Sequence, residues 1–295
     1  MSIFRKKNKT RNTTGTFDET YNKVYEKSCD FHDIKLQAGP IKENDTVTDY
    51  VSERWCKLPN GSYALERPIM MSVKEGIFEE EDCRTWDDEK GMRAIGKHID
   101  WMYRCWSSST NKCWVAFKVS ELNGLIRNTR SFDVLNNTAR IIIDDWEQMH
   151  TPGNKFLGII RQMREMFPDM QILVNNVSSL DELVSVVDAG ANGAIITSSH
   201  SQVCNWSVAN VLHLCDVWRK HNNKDITLVC DYQYTSYEEM VIALALGADY
   251  VTAGQLIKAA GNNTDAFMQL LNETMYMTGC ESLDKLREVN KFLTK

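Results

Sequence analysis

Eight short apolar runs, each continuous rather than alternating, recur along this chain at a fairly even beat. They are "PIMMSV" (68–73), "MRAIGK" (92–97), "CWVAFKV" (113–119), "ARIIIDD" (139–145), "MQILVNN" (170–176), "GAIITS" (193–198), "DITLVCD" (225–231) and "ADYVTAG" (248–254). A strand with one face in water alternates apolar and polar residues. A strand buried on both faces does not, and strands of a parallel sheet are in that state. Parallel neighbours need crossover connections, usually helices, and the later intervals supply them. "SSLDELVSVVDAG" (178–190) opens on Ser, Asp and Glu and closes on glycine. "SYEEMVIALALGA" (236–248) follows the same plan, and "NKFLGIIRQMREMFPD" (154–169) stops at Pro168. Eight strands alternating with helices in 295 residues predict a single (β/α)8 TIM barrel over residues 16–295. The rival arrangement is a doubly wound open sheet, but no GxGxxG motif follows any run. Residues 1–67 are expected to be an arm plus a short lead-in, and 262–295 a closing helix.

In such a barrel the chemistry sits at the carboxyl ends of the strands. The positions to inspect are therefore Lys97, Asp144, Asp145, Asn175, Asn176, the loop 197–206, Asp231 and the loop 254–261. Cys204 lies in the loop after the sixth run. It is either a nucleophile at a strand end or a small buried filler, the common state of free cysteine. His200 would favour its thiolate if it lay close and charged. Asp144 and Asp231 are either functional carboxylates or loop and helix caps. Asn175 and Asn176 read as caps for the helix starting near Ser178. Trp206 fills the mouth or anchors a partner.

Bulk properties narrow the classes. A net charge of −6 argues against a general nucleic-acid binder, so no specific nucleic acid is expected. The exception is the start, "MSIFRKKNKTRNTTG", where Arg5, Lys6, Lys7, Lys9 and Arg11 meet no acid. Residues 1–15 are expected to be a disordered basic arm, because such a composition buries too little apolar area to order itself. The nine cysteines show no CxxC pair and no signal peptide precedes them, which fits free thiols in a reducing, cytoplasmic setting. No apolar run approaches the ~18 residues of a membrane span. No Cys/His cluster has zinc-ligand spacing, so no metal is expected.

The colinear series "IIIDD", "FPDMQILVNNVSSLDELVSVVDAGANGAIITSSHSQVCN", "ITLVCD" and "ALALGADYVTAG", over 139–261, resembles the barrel of inosine-monophosphate dehydrogenase and GMP reductase. "DFHDIKL", "PIMMSV" and "AIGKHIDW" resemble its first third more weakly. The resemblance implies that Cys204 is the cysteine that attacks C2 of a purine nucleotide to give a covalent thioimidate. It implies that NADPH exchanges the hydride, with Lys97, His98 and Asp144 toward the cofactor. It further implies that Asp231 holds the ribose hydroxyls, that Ser201, Gln202 and Gly254 line the substrate site, and that the chain assembles as a homotetramer. The shortness of the chain is closer to GMP reductase, leaving no room for the dehydrogenase's inserted domain pair or flap.

The phosphate cradle departs from that pattern. The cysteine loop should read GxGxGSxCxTR and reads Thr197-Ser-Ser-His-Ser-Gln-Val-Cys204-Asn-Trp-Ser207. Asp231 should precede two glycines and precedes Tyr232 and Gln233, while Gly254 is followed by Gln255. Glycine lets a backbone approach a phosphate closely, so GMP and IMP are expected to bind weakly. Three readings stay open: an active purine-nucleotide oxidoreductase of the GMP reductase type, an inactive relative that binds nucleotide or a protein, and a barrel enzyme with another phosphate-containing substrate.

Overall fold

The computed structural model describes residues 31, 34–36, 38–39, 54–57, 63–72, 95–96, 114–128, 135, 138–151, 155–197, 207–288 and 292–294. Lys97, His98, Ser201, Gln202, Cys204 and the arm 1–15 lie outside them.

All eight apolar runs form strands of one parallel sheet. They are β4 (Ile69–Met71), β5 (Ile95–Gly96), β6 (Trp114–Phe117), β7 (Arg140–Ile143), β8 (Gln171–Val177), β9 (Gly193–Thr197), β10 (Thr227–Asp231) and β11 (Tyr250–Ala253). The order β4-β11-β10-β9-β8-β7-β6-β5 sets the first strand beside the last, each pair parallel. An open doubly wound sheet does not bring its first and last strands together. The curl also shows in contacts across the interior. The buried Glu66 carboxylate accepts from Tyr250 Oη on β11 (2.7 Å) and pairs with Arg140 Nη1 on β7 (3.6 Å), although β8, β9 and β10 separate those strands. The fold is therefore an α/β barrel of the TIM type. Within the described residues, the wall between β4 and β5 carries no ladder.

Helices pack outside: α1 (Val119–Arg127), α2 (Trp146–His150), α3 (Phe156–Met166), α4 (Leu180–Asp188), α5 (Val208–His221), α6 (Tyr237–Ala245), α7 (Gln255–Ala259), α8 (Asp265–Thr278) and α9 (Leu283–Glu288). Their starts follow the capping signals: the hydroxyls of Ser179, Ser207 and Ser236 accept the backbone N–H three residues on. Outward strand residues such as Ile141, Ile143, Ile172, Leu228 and Val251 pack under helix residues such as Ile160, Leu183, Leu212 and Leu244, all fully enclosed. Among the described residues no helix is long and apolar enough to cross a membrane.

One expectation about the ends is corrected. The closing segment is two helices, α8 and α9, followed by β12 (Phe292–Thr294), not one helix; Gly279, at φ +68°, ends α8 in the left-handed cap that favours glycine. The lead-in holds β1 (Ile34–Leu36), antiparallel to β12, and a hairpin of β2 (Arg54–Lys57) and β3 (Tyr63–Glu66).

On α5, burial holds His213 below the usual imidazole range, with Asp216 opposing the shift and Lys220 adding to it. The folded chain thus keeps His213 neutral while the unfolded chain protonates it near pH 6.5. Stability contributed by the neutral ring is lost as pH falls from about 6.5 toward the lowered folded value. His213→Gln is expected to flatten the fall in urea midpoint between pH 7.5 and 5.5; an unchanged slope would remove His213 from the acid response.

Candidate functional site at the barrel mouth

The carboxyl ends of six adjacent strands place polar side chains on one mouth. Asp231 ends β10 with only 2% of its surface exposed. Its carboxylate accepts from three hydroxyls on three other strands: Thr252 Oγ1 of β11 (2.6 Å), Thr197 Oγ1 of β9 (3.4 Å) and Ser72 Oγ just after β4 (3.5 Å). A buried carboxylate is tolerable only when hydrogen-bonded in this way. Thr252→Val keeps the shape but deletes the shortest of these bonds. It is expected to cost about 1.5–3 kcal/mol by chemical denaturation; a loss below ~0.5 kcal/mol would show that the other two hydroxyls suffice.

A second cluster sits two and three strands away, at the ends of β8 and β7. Asp144 follows β7, half-buried, and its Oδ1 accepts from the side-chain amides of Asn175 (3.1 Å) and Asn176 (2.8 Å). Asn176 holds φ +66°, and the β8–β9 register shifts between Val174 and Val177. That irregularity turns two successive asparagines toward one carboxylate. The expectation that they cap α4 is corrected: Ser179 is the cap, and the amides serve Asp144.

The starts of α1, α2, α4 and α6 around this mouth are already occupied by the chain's own acceptors, whereas α7 begins at Gly254 with no side-chain cap. Lys118 N donates to Glu121 Oε2 (2.6 Å), Val119 N and Gln148 N to the two oxygens of Asp145 (3.0 and 3.2 Å). Ser178 N donates to Glu182 Oε2 (2.7 Å) and Thr235 N to Glu239 Oε2 (2.7 Å). These reciprocal bonds are capping boxes or their relatives. After Asp231 the chain builds an aromatic block. Tyr232 stands edge-on to Phe31 (4.9 Å between centroids) and to Tyr234 (5.4 Å), Phe31 is fully buried, and Tyr234 Oη donates to the carbonyl of Cys230 (3.1 Å). Burial pushes the Tyr234 phenol up, so this hydroxyl stays a donor. Gly254 opens α7, and the space where a side chain would start there is clear.

The structure thus brings Asp144, Asp231 and Gly254 to one mouth. Cys204, Ser201, Gln202, Lys97 and His98 belong to segments outside the described residues. Cys215, Cys230 and Cys280 are buried free thiols, the filler role expected for cysteines other than Cys204, and burial drives the Cys215 thiol far up. Sequence reading missed Ser72 and Thr252, and took Thr197 only as the first residue of the loop 197–206. Their signal was present: each is a polar residue at or near the carboxyl end of an otherwise apolar run.

The family model described as FMN-dependent dehydrogenase matches residues 89–291. Among curated proteins the chain is similar to the inosine-5'-monophosphate dehydrogenase of Borreliella burgdorferi, 21% identical over 221 residues, covering 73% of this chain and 51% of that protein. It is similar also to the inosine-5'-monophosphate dehydrogenase of Toxoplasma gondii, 27% identical over 110 residues, 34% of this chain and 20% of that protein. The chain therefore spans about half or less of the length of these relatives.

The family match corrects the cofactor. NADPH was expected from the likeness of Lys97, His98 and Asp144 to a cofactor-contacting set, whereas the matched family is FMN-dependent. FMN combines a planar ring, a hydroxylated chain and a phosphate. The hydroxyl-lined carboxylate suits a hydroxylated chain. For the phosphate, the starts of α1, α2, α4 and α6 already donate to carboxylates and Tyr232 packs into the aromatic block directly after Asp231, whereas the start of α7 at Gly254 has no side-chain cap and clear space.

Proposed function

Since the chain belongs to the FMN-dependent dehydrogenase family, we propose that it is a purine-directed oxidoreductase of the inosine-monophosphate dehydrogenase and GMP reductase kind, with its ligand at the barrel mouth. The observation that carries this reading is Asp231, buried at the end of β10 among hydroxyls from β4, β9 and β11. A carboxylate so placed accepts hydrogen bonds from the two ribose hydroxyls of a purine ligand. Cys204, seven residues beyond Thr197 in the β9–α5 loop, is the nucleophile of this reading: its thiolate adds to C2 of the purine ring. Asp144, steadied by Asn175 and Asn176, faces the same mouth as a second acceptor. In an FMN-dependent family the flavin supplies the hydride chemistry. A homotetramer in a cytoplasmic setting belongs to the same reading.

One observation favours a second reading, a relative that binds its ligand without turning it over: Tyr232, packed against Phe31 and Tyr234, stands directly after Asp231 where the likeness expects glycine. A thermal-shift panel of purine nucleosides and nucleotides tests the ligand, since binding at ~100 times Kd stabilises by ~2.7 kcal/mol. Competitive labelling with iodoacetamide tests the nucleophile. Under the first reading Cys204 is the thiol labelled fastest near neutral pH, and Cys204→Ser abolishes turnover with little change in melting temperature. A purine-induced shift with an unreactive Cys204 selects the second reading; no shift with any purine overturns both.

A further inference from the structure

We propose that Trp146, on the rim of the barrel mouth, is a stacking platform for the planar heteroaromatic ring of the ligand, purine or flavin. This rests on the reading of the mouth as the ligand site and names a residue that recognises the ring.

α2 follows Asp144 and Asp145 directly at the end of β7 and has only five residues. A helix so short does not hold itself together in water. Packing does little for this one: Trp146, Glu147, Gln148 and His150 are exposed and Met149 is half-buried. Yet the chain fixes it from both sides. Asp145 joins its first turn to the start of α1, accepting from Gln148 N and Val119 N (3.2 and 3.0 Å). At the other end His150 reaches across to α4, with Nε2 3.0 Å from Glu182 Oε1, while its Nδ1 lies 2.9 Å from the carbonyl oxygen of Trp146. Glu182 is itself held by the backbone N–H and the hydroxyl of Ser178 (2.7 and 3.0 Å). An exposed pair such as His150 and Glu182 adds little stability. What these ties fix is the placement of the side chains that α2 carries.

Trp146 is the side chain that gains from being fixed. It is 38% exposed, one of two large apolar side chains so open among the described residues. Its indole lies against the His150 imidazole, with 4.8 Å between centroids and 32° between planes. A ring that Glu182 holds in place therefore backs it. A fixed aromatic face is worth most to a planar partner, since ring pairs gain beyond their area burial, and any heteroaromatic base has such a face. Asp144, two residues earlier at the same mouth, accepts from N–H groups of the kind both a hypoxanthine and a flavin carry at their edge. Glu147 and Gln148 beside the indole make α2 a poor seat for a protein surface, whose core is depleted of charge.

Titration of the full chain with FMN and with IMP, for the parent, Trp146→Leu and Trp146→Phe, tests this. FMN is followed by its own emission, which stacking on an indole quenches, and IMP by calorimetry. Trp146→Leu is expected to weaken the ligand whose ring stacks by roughly five- to a hundredfold. Trp146→Phe should restore most of that loss, and melting temperature should hardly move, because the indole is outside the core. A loss for FMN alone, with its quenching abolished, assigns the flavin ring; a loss for IMP alone assigns the purine; a loss for both assigns a platform that either ring uses. Equal binding by parent and variants overturns the inference and spares the reading of the mouth. So does a loss that Trp146→Phe does not restore and that comes with a lowered melting temperature, which marks a structural role. Binding of neither ligand at millimolar concentration defeats the reading of the mouth, and this inference with it.

Discussion

Replacing Arg219 with methionine is expected to cost about 3–5 kcal/mol of stability, among the largest effects of any single change considered for this chain. Arg219, on α5, is 8% exposed and ties four groups at the amino-terminal end of the barrel. It donates to Asp216 (2.9 Å), to Asp249, and to the carbonyls of Ile226 (3.0 Å) and Gly247 (2.8 Å). Burial opposes its charge, yet Asp249 and Asp216 hold it more firmly protonated than usual. Methionine fills part of the volume and leaves two buried carboxylates short of a cation. Arg287, 3.1 Å from Asp249, and Lys220, 2.7 Å from Asp216, soften the loss and place it toward the lower end. Urea denaturation measures it directly. Adding Asp249→Asn to the variant should cost less than its effect alone, since contacting partners couple. A loss under ~1 kcal/mol would mean that Arg287 and Lys220 carry the network.

Gly193→Ala is the second. A β-carbon there would lie 1.9 Å from the carbonyl oxygen of Thr227, a backbone atom of the neighbouring strand. Gly193 pairs with Thr227 at the first rung of a five-rung ladder, so the clash cannot be relieved by turning a side chain. The strands must part or the ladder must slip. Overpacking typically costs about 1–3 kcal/mol, occasionally more, and with a rigid partner about 3 kcal/mol is expected. The same two strands end at Thr197 and Asp231, so the variant should also weaken ligand binding at the mouth. Stability within ~0.5 kcal/mol of the parent would contradict the tight β9–β10 spacing.

The barrel was legible because a strand buried on both faces leaves a local mark, an unbroken apolar run, and every run became a strand. The end of β8 was harder. Asn175 and Asn176 stand just before a serine-rich helix start and look like caps. A register shift against β9 instead carries the strand through Val177 and moves the cap to Ser179. That shift depends on a neighbouring strand and so has no local signature. The hydroxyls around Asp231 were visible as single polar residues in apolar runs. That Ser72 would meet Asp231, 159 residues away, followed only from closing the sheet. The break in the C-terminal segment was written at Gly279, a residue that commonly ends helices. The phosphate departures were legible as missing glycines; the carboxylates occupying the helix starts needed the folded geometry, since Glu121 and Glu239 read equally well as ordinary first-turn acids.

The pairing of β1 with β12 sets a timetable for assembly. Ile34 pairs with Thr294 and Leu36 with Phe292, so a segment that precedes the barrel strands waits for one that follows them. Throughout synthesis β1 is an edge without its complement, while the βα units between can dock one after another. Closing so long a loop is entropically costly and slow relative to local contacts. The ribbon is therefore a late latch on an already formed barrel. A chain cut short before Phe292 should still build its barrel and leave β1 unpaired, a state that a protease cutting near Ile34 would detect.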